Sequence, residues 1–360
     1  MDYSQKVDFH SHFLPPAYFE FLDKYEGPEP DSFPTPKWDL KSHLKEMEDL
    51  GVGFSLMSIS SPSLANAMNP EEAAEYARRI NEEGAGYVKK YPKKLGLMAE
   101  LPLPHVEESV EEAEYALDEL GAYGFGLKTH YAGMYLGDPE MDPLMEVLNE
   151  RKAVVVIHPT EPAALPERAN RDYPIPAMEF FMDTTRTFVN MEIHDTFVNY
   201  PDITWVFPHA GAFLSILDDR IASFKIFVKK RYPKARLHTY EDMAHVYFDL
   251  AGFPLKKQLQ ILRKDVPLEH MLYGSDCPYT PKVACIALAG ELERTSQLTD
   301  KERYQIFTQN AVDIMPRLKE VLDVDDNGRS TKKSGKNKSR KKRKFFAKLY
   351  NVVMPTMQKL

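Results

Sequence analysis

Short continuous runs of apolar residues alternate along the chain with longer segments in which apolar positions recur at helical spacing. Such runs are typical of strands buried on both faces, and the helical spacing predicts amphipathic helices between them. The runs predict eight strands, at residues 6–13, 52–60, 94–101, 124–131, 153–160, 202–211, 246–252 and 271–279. Because strands that alternate with helices pair in parallel through right-handed crossovers, eight such units predict an α/β fold, a (β/α)8 TIM barrel.

An open, doubly wound sheet is the alternative fold for the same order of elements. That fold usually carries a glycine-rich phosphate-binding loop after its first strand, and this chain has none there. Two connections, residues 14–51 and 161–201, are far longer than ordinary loops between a strand and a helix. Long connections in a barrel lie over the carboxyl-terminal mouth, so we expect these two to shape a binding pocket.

Charge divides the chain into two parts. The 360 residues carry a net charge of −8, but residues 327–360 contain 12 lysines and arginines and no acid, which leaves −20 for residues 1–326. We therefore predict a barrel domain over 1–326 and a basic tail over 327–360. Residues 327–344 lack apolar periodicity and are expected to be disordered, whereas the spacing from Phe345 onward predicts a short amphipathic helix. The tail is expected to contact an anionic membrane surface, to bind nucleic-acid phosphates, or to remain solvated.

The two cysteines, Cys277 and Cys285, are too few for a disulfide framework, which favours a reducing compartment. The first residues show no charged leader followed by a long apolar run, and no stretch reaches the roughly 20 apolar residues of a membrane span. We therefore expect a cytoplasmic protein.

Histidine and aspartate side chains stand at the ends of several predicted strands. His10 and His12 end the first strand and share one face, because residues two apart in a strand point to the same side. His158, His209 and Asp276 end the fifth, sixth and eighth strands. The carboxyl ends of barrel strands meet at one site, and these side chains offer the nitrogen and oxygen donors of a catalytic zinc site. The pattern therefore predicts a metal-dependent enzyme.

The stretches "DFHSHF", "VIHPT", "FPHAGAF" and "YGSDCPY", in this order, resemble the amidohydrolase superfamily. Within it, the chain resembles the metal-dependent nonoxidative decarboxylases that include aminocarboxymuconate semialdehyde, gamma-resorcylate and 6-methylsalicylate decarboxylases. The resemblance covers about residues 6–320, a range that excludes the tail. It implies that one divalent ion, zinc or manganese, is bound by His10, His12, His158 and Asp276. It also implies that His209 and Asp276 are the catalytic residues.

Arg220 lies eleven residues after His209, in "HAGAFLSILDDR". It resembles an arginine of the semialdehyde decarboxylase that reaches the neighbouring subunit's site and binds substrate carboxylate, which implies a homodimer or a larger homo-oligomer. A second arginine of that enzyme, near the end of the second strand, has no counterpart in "SISSPS". We therefore expect a phenolic acid with one carboxylate.

Lys128, in "GLKTHY", raises a two-metal alternative. In two-metal amidohydrolases a carboxylated lysine at the end of the fourth strand bridges the ions, and His209 would then bind the second metal. The one-metal interpretation is preferred, because Lys128 and His130 share one strand face and decarboxylases often have "TH" here without a bridging lysine.

The expected activity is decarboxylation of a small hydroxybenzoate, with the proton delivered by Asp276 or His209. The alternative is a hydrolase that uses the same ligands to attack a lactone, amide or imine. A non-catalytic binding protein is disfavoured, because it has little use for a His/Asp ligand set with an open position.

Overall fold

Eight parallel strands form the central sheet of the protein, for which the computed structural model describes residues 3–168, 173–252, 254–322, 324–325 and 338–357. In chain order and in order of pairing they are β1 Lys6–His12, β2 Val52–Ser58, β3 Leu95–Ala99, β4 Gly124–Lys128, β5 Val154–His158, β6 Thr204–Phe207, β7 Tyr247–Asp249 and β8 Met271–Leu272. Each observed strand lies inside the range predicted for it.

Backbone hydrogen bonds between β1 and the segment after β8 close the sheet. Phe9 N donates to Tyr273 O at 3.0 Å, and His12 N donates to Cys277 O at 2.8 Å. The predicted (β/α)8 TIM barrel is therefore confirmed. Most predicted runs extend past the strand that forms, so that His209 and Asp276 lie in the loops just beyond their strands.

Helices surround the strands. They are α1 Pro16–Tyr25, α2 Leu40–Leu50, α3 Pro70–Lys90, α4 Val106–Asp118, α5 Asp142–Glu150, α6 Ile175–Ile193, α7 Thr196–Asn199, α8 Leu214–Ser223, α9 Lys225–Arg231, α10 Thr239–His245, α11 Gln258–Asp265, α12 Lys282–Leu292, α13 Asp300–Tyr304, α14 Asn310–Ile314 and α15 Lys338–Met357. None of these helices, over the residues described, is both long and apolar enough to cross a membrane.

Local capping chemistry sets several helix ends. Asp39 accepts a hydrogen bond from Ser42 N at 2.9 Å and begins α2, while Asn69 accepts one from Glu72 N at 2.9 Å and begins α3. Each cap satisfies a backbone donor that the first helical turn leaves unpaired. Gly51 ends α2 with a φ of 74°, a conformation that glycine adopts without a steric penalty.

The carboxyl-terminal helix α15 packs against α12 and α2 on the outside of the barrel. Gly290 of α12 lies against the Arg343 backbone, and a Cβ at position 290 would be only 2.5 Å from the Arg343 carbonyl oxygen. The prediction of disorder is therefore wrong for residues 338–344, whereas residues 327–337 lie outside the described residues. The tail segment packs as a helix because of α12. The consecutive residues 285–290 of α12 are all buried, so α12 needs a covering element on its outer face.

A buried ion cluster anchors α15. The fully buried Arg343 donates through Nε to Glu293 Oε1 at 2.7 Å and through Nη1 to the Asp49 carbonyl at 3.1 Å. Lys6, equally buried, donates to the same Glu293 oxygen at 2.7 Å. A buried charge that loses its partner is strongly destabilising. The barrel and its carboxyl-terminal helix therefore depend on each other.

We predict that Arg343→Met lowers the free energy of unfolding by about 3 kcal/mol, because it removes one cation from a buried carboxylate. Urea denaturation followed by circular dichroism measures this change. The control is Lys341→Met, at an exposed position of the same helix, which should change stability by less than about 0.5 kcal/mol. Equal denaturation midpoints for the two variants would contradict the anchoring of α15.

Candidate metal centre

Four of the predicted side chains meet at the carboxyl-terminal end of the barrel. His10 and His12 end β1, His158 ends β5, and Asp276 follows β8. One potential ligand atom from each residue lies within 4.8 Å of the others. The three histidines are buried, and the Asp276 side chain is 17% exposed. The fold thus brings together residues that are up to 266 positions apart in sequence. No second such His/Cys/Asp/Glu group occurs among the described residues.

Hydrogen bonds orient two of the imidazole rings. His10 Nδ1 lies 2.8 Å from Asp249 Oδ2, and His158 Nδ1 lies 2.6 Å from the Pro159 carbonyl oxygen. An imidazole that donates through Nδ1 presents the lone pair of Nε2 to its other side. This is the arrangement in which outer carboxylates and carbonyls support metal-binding histidines.

The nitrogen atoms that face the group fit a metal ion. His10 Nε2 and His12 Nε2 are buried and have no hydrogen-bond partner among the described residues. Each lies 3.5 Å from Asp276 Oδ1, so one carboxylate oxygen is shared between the two rings. Because unpaired buried polar atoms are costly, these nitrogens call for a ligand, and a divalent ion satisfies both together with the carboxylate.

Electrostatics favours the protonation states that coordination requires at His12, His158 and Asp276. At His10, burial opposes the charge, but Asp249 and Asp276 outweigh it and raise the pKa well above its ordinary value, so metal binding there displaces a proton. Burial lowers the pKa of His12 and holds the pKa of His158 well below its ordinary value, since a buried imidazolium loses its hydration. Burial opposes ionisation of Asp276, but His10 and His12 outweigh it and hold the pKa of that carboxyl well below its usual range. Neutral imidazoles and an ionised carboxylate are the forms that bind metals.

Asp249, at the end of β7, supports the group and was missed by the sequence analysis. Besides His10, it accepts hydrogen bonds at Oδ1 from His209 N at 3.1 Å and from Ala251 N at 2.9 Å. Burial opposes its charge, but His10 holds the pKa of Asp249 below its ordinary value. Its only signal in the sequence was an acid at the end of an apolar run, "VYFDL".

His209 stands beside the four-residue group on a strained backbone. The φ angles of residues 209–212 are all positive, between 53° and 73°, and only Gly211 adopts such angles readily. Gln258 Nε2 bridges this turn by donating to His209 O at 3.1 Å and to Ala212 O at 3.3 Å. Strain that neighbouring groups hold in place is typical of functional sites.

The His209 ring faces both the histidine cluster and an aromatic wall. Its centroid lies 4.9 Å from that of His10, and it stacks on Phe181 at 5.5 Å with 18° between the planes. Its Nδ1 is buried without a hydrogen-bond partner among the described residues. Burial, reinforced by the charge of His10, lowers the pKa of His209 to about 4. The ring is therefore neutral near pH 7.

Asp276 also occupies a strained position. Its φ is 59°, and Thr280 Oγ1 donates to its Oδ2 at 2.7 Å. Two residues before it, Gly274 lies against His10, and a Cβ at position 274 would be 2.8 Å from His10 Cβ. One carboxylate oxygen of Asp276 is therefore held by Thr280, just after the "YGSDCPY" stretch, and the other faces the histidines.

Two other residues singled out from the sequence lie elsewhere. Lys128 is fully buried and donates to Glu100 Oε2 at 2.8 Å, so it is held in an ion pair outside the four-residue group. Arg220 is exposed on α8, with its guanidinium 5.0 Å from the Phe224 ring centroid. Within this chain, Arg220 therefore lies apart from the cluster.

A cavity of about 470 Å³ opens over the His/Asp group. The long connections after β1 and β5 contribute to it, as expected, through Phe33 and through residues at the start of α6. Its walls are mainly apolar, and no lysine or arginine of the described chain lines it. The lining residues are Phe33, Ser60, His158, Pro174, Pro176, Ala177, Phe180, Phe181, His209, Gly252, Gln258, Asp276, Tyr279, Thr280 and Pro281.

The sequence model of one protein family, described as amidohydrolase, matches residues 7–317, which is most of the chain. The chain belongs to the amidohydrolase family. This confirms the resemblance inferred from the four histidine- and aspartate-containing stretches.

This amidohydrolase is similar to proteins named as decarboxylases. It is 34% identical over 337 residues to decarboxylase macB of Penicillium terrestre, an alignment that covers 89% of this chain and 97% of that protein. It is 31% identical over 323 residues to 6-methylsalicylic acid decarboxylase acuB of Aspergillus aculeatus, covering 87% and 97%. A crystal structure described as an amidohydrolase II has a TM-score of 0.82 at 40% identity, covering 87% of this chain and all of that one.

We predict that each chain of this amidohydrolase binds close to one divalent ion. Replacing His10, His158 or Asp276 by alanine should cause loss of the ion, because each change removes a donor. Elemental analysis of dialysed protein measures the content. Asp249→Asn should weaken metal affinity roughly 10- to 100-fold by releasing the His10 ring. His130→Gln is the control, since His130 bonds the Glu161 carbonyl outside the group. Full metal retention in all three alanine variants would disprove the site.

Proposed function

We propose that this protein is a metal-dependent decarboxylase of a small hydroxybenzoate-type acid, similar to 6-methylsalicylate. The observation that carries this proposal is a His/Asp group at the floor of a mainly apolar cavity that has room for an aromatic ring. The ligands proposed for one ion are His10, His12, His158 and Asp276. Zinc is the expected metal, and manganese is the alternative, because mixed nitrogen and oxygen donors suit both.

The cavity suits an aromatic acid better than a polar substrate. Phe180 contacts the His158 ring edge-on at 5.8 Å, and Phe181 stacks on His209, so two aromatic side chains flank the reactive end. Rings of this kind pack favourably on a substrate ring. Since no lysine or arginine among the described residues lines the cavity, a substrate carboxylate needs another positive charge there. A metal ion held by His10, His12, His158 and Asp276 would supply this charge and would help to orient the ring.

Decarboxylation then needs a proton at the ring carbon that bears the carboxylate. Protonation interrupts aromaticity, the carbon–carbon bond breaks, its electron pair restores the ring, and carbon dioxide leaves. Asp276 and His209 both line the cavity and are the candidate groups that transfer this proton. Because Asp276 is ionised and His209 is neutral, either group would first take the proton from the substrate hydroxyl or from water. Asp249 positions His209 through the backbone N–H, and Thr280 positions Asp276.

We predict that the metal-loaded protein releases one carbon dioxide per phenol formed from salicylate-type acids, and that Asp276→Asn lowers kcat at least about 100-fold. Headspace detection of carbon dioxide and chromatography of the phenol measure both products. The competing function, hydrolysis of a lactone, amide or imine, would instead incorporate heavy oxygen from labelled water into the product. Such incorporation without carbon dioxide release would refute the decarboxylase.

We also propose that Arg220 completes the site of a second subunit in a homodimer. Four large apolar side chains are exposed within residues 216–227: Ile216 at 56%, Phe224 at 46%, Ile226 at 72% and Phe227 at 62%. An exposed apolar cluster of this kind is typical of a protein interface. Arg220 lies inside the same segment, so an interface here would carry its guanidinium toward the partner.

The dimer proposal predicts complementation between two inactive chains. Mixing Arg220→Ala with His158→Ala should restore activity, because one site of each mixed dimer has an intact His/Asp group and an intact partner arginine. Activity after subunit exchange, compared with each variant alone, is the measurement. Arg231→Ala, at an exposed position of the next helix, is the control. Confirmed subunit exchange without any recovered activity would exclude a shared site.

Two further expectations concern location and the tail. Both cysteines are free thiols, which supports a reducing compartment such as the cytoplasm. The outward side of α15 carries Lys341, Lys344 and Lys348 beside the exposed Phe345, which supports contact with an anionic membrane surface more than with nucleic acid. This contact predicts cosedimentation with phosphatidylserine vesicles that is lost when salt is added. Cosedimentation that persists in added salt would contradict an electrostatic contact.

A further inference from the structure

The cavity over the His/Asp group is larger than the ring of a simple hydroxybenzoate. A cavity of about 150 Å³ is enough to hold benzene, whereas this cavity measures about 470 Å³. A carboxyl and a hydroxyl group add only a few atoms to the ring. A 6-methylsalicylate-sized acid at the metal group would therefore leave a large part of the volume unfilled.

The polar atoms of the lining are concentrated at the metal end and are mostly engaged there. Thr280 donates to Asp276, and Gln258 donates to the backbone carbonyls of His209 and Ala212. These side chains are thus committed to holding the site itself. Among the described lining residues, the hydroxyls left for a substrate are Ser60 Oγ, 3.3 Å from His158 Nε2, and the unpartnered Oη of Tyr279, whose ring centroid lies 5.6 Å from that of His12. Both side chains adjoin proposed metal ligands.

The rest of the wall, as far as the structure describes its residues, is mainly apolar and extends from the metal group to the mouth. Phe180 is buried beside His158, while Pro174 and Ala177, before and within the first turn of α6, are exposed at the rim. Phe33, from the long connection after β1, is half-buried on the same cavity. A substituent that left the ring in this direction would exchange water for apolar contacts along its length.

We propose that the natural substrate is a hydroxybenzoate that carries an apolar substituent larger than methyl, such as an alkyl chain of several carbons. This proposal rests on the proposed decarboxylase function and specifies its substrate class. The carboxylate and the ortho hydroxyl lie at the metal group, the ring lies beside Phe180 and Phe181, and the chain runs along Phe33 and Ala177 toward the mouth.

The test compares salicylates substituted at position 6 with methyl, propyl, pentyl and 4-hydroxybutyl groups. The expected result is a rise in kcat/KM of about fourfold for each buried methylene. The 4-hydroxybutyl acid matches the pentyl acid in length but places a hydroxyl in the apolar wall, and it should lose at least about tenfold against it. Calorimetric affinities of the same acids for the metal-loaded protein give a second measurement that does not depend on turnover.

A variant of the apolar wall tests whether that wall causes the preference for a longer substituent. Ala177→Phe should lower the pentyl-to-methyl ratio of kcat/KM about tenfold, because the new ring occupies the path of the chain. Glu179→Gln is the control, since Glu179 lies in the same helical turn but does not line the cavity. The control should leave the ratio unchanged.

The outcomes separate this proposal from the function on which it rests. Equal kcat/KM values for methyl and pentyl acids, with carbon dioxide released from both, would overturn the substituent proposal and leave the decarboxylase intact. This is also the result expected if a second subunit fills the outer cavity. Tighter calorimetric binding of the pentyl acid without carbon dioxide release would support the apolar subsite and overturn decarboxylation. Neither binding nor release would overturn both.

Discussion

The Asp249 carboxylate is the interaction on which the candidate site depends. It accepts hydrogen bonds from the His10 ring, the His209 backbone and the Ala251 backbone, and it is almost completely buried. A buried carboxylate is stable only when donors surround it, and these donors belong to the ends of three different strands. One buried charge thus orients a proposed metal ligand and also supports the strained turn that carries a proposed catalytic histidine.

A second buried carboxylate joins the two ends of the sheet at the same site. Asp8 Oδ1 accepts hydrogen bonds from His10 N at 3.2 Å and from Ser275 N at 3.0 Å. Burial raises the pKa of Asp8 to about 7, so its charge is expensive and its hydrogen bonds matter. Closure of the barrel and placement of Asp276 beside His10 are therefore parts of one arrangement, since both depend on how β1 meets the segment after β8.

The chemistry of the site follows from the contrast between this polar floor and the apolar wall above it. The floor concentrates imidazole and carboxylate donors, whereas the wall excludes water and offers an aromatic acid a large contact area. The same floor would serve a hydrolase, because metal ligands alone do not choose between attack by water and loss of carbon dioxide. The shape and polarity of the cavity, which depend on Phe33 and on the start of α6, are what favour the carboxylate of an aromatic ring.

The sequence by itself predicted the eight strands and the barrel, and it pointed to His10, His12, His158 and Asp276, which the structure brings together, and to His209 beside them. It did so because strand and helix periodicities are local and because parallel strands end at a common site. Tertiary structure decided what depends on contacts between distant segments: the support from Asp249, the engagement of Lys128 by Glu100, and the docking of α15 through Arg343. A run of lysines and arginines is typical of a solvated tail when examined alone. The apolar helix α12 and the carboxylates of Glu293 and Asp49, which lie elsewhere in the sequence, supply the apolar surface and the negative charge that make it a packed helix.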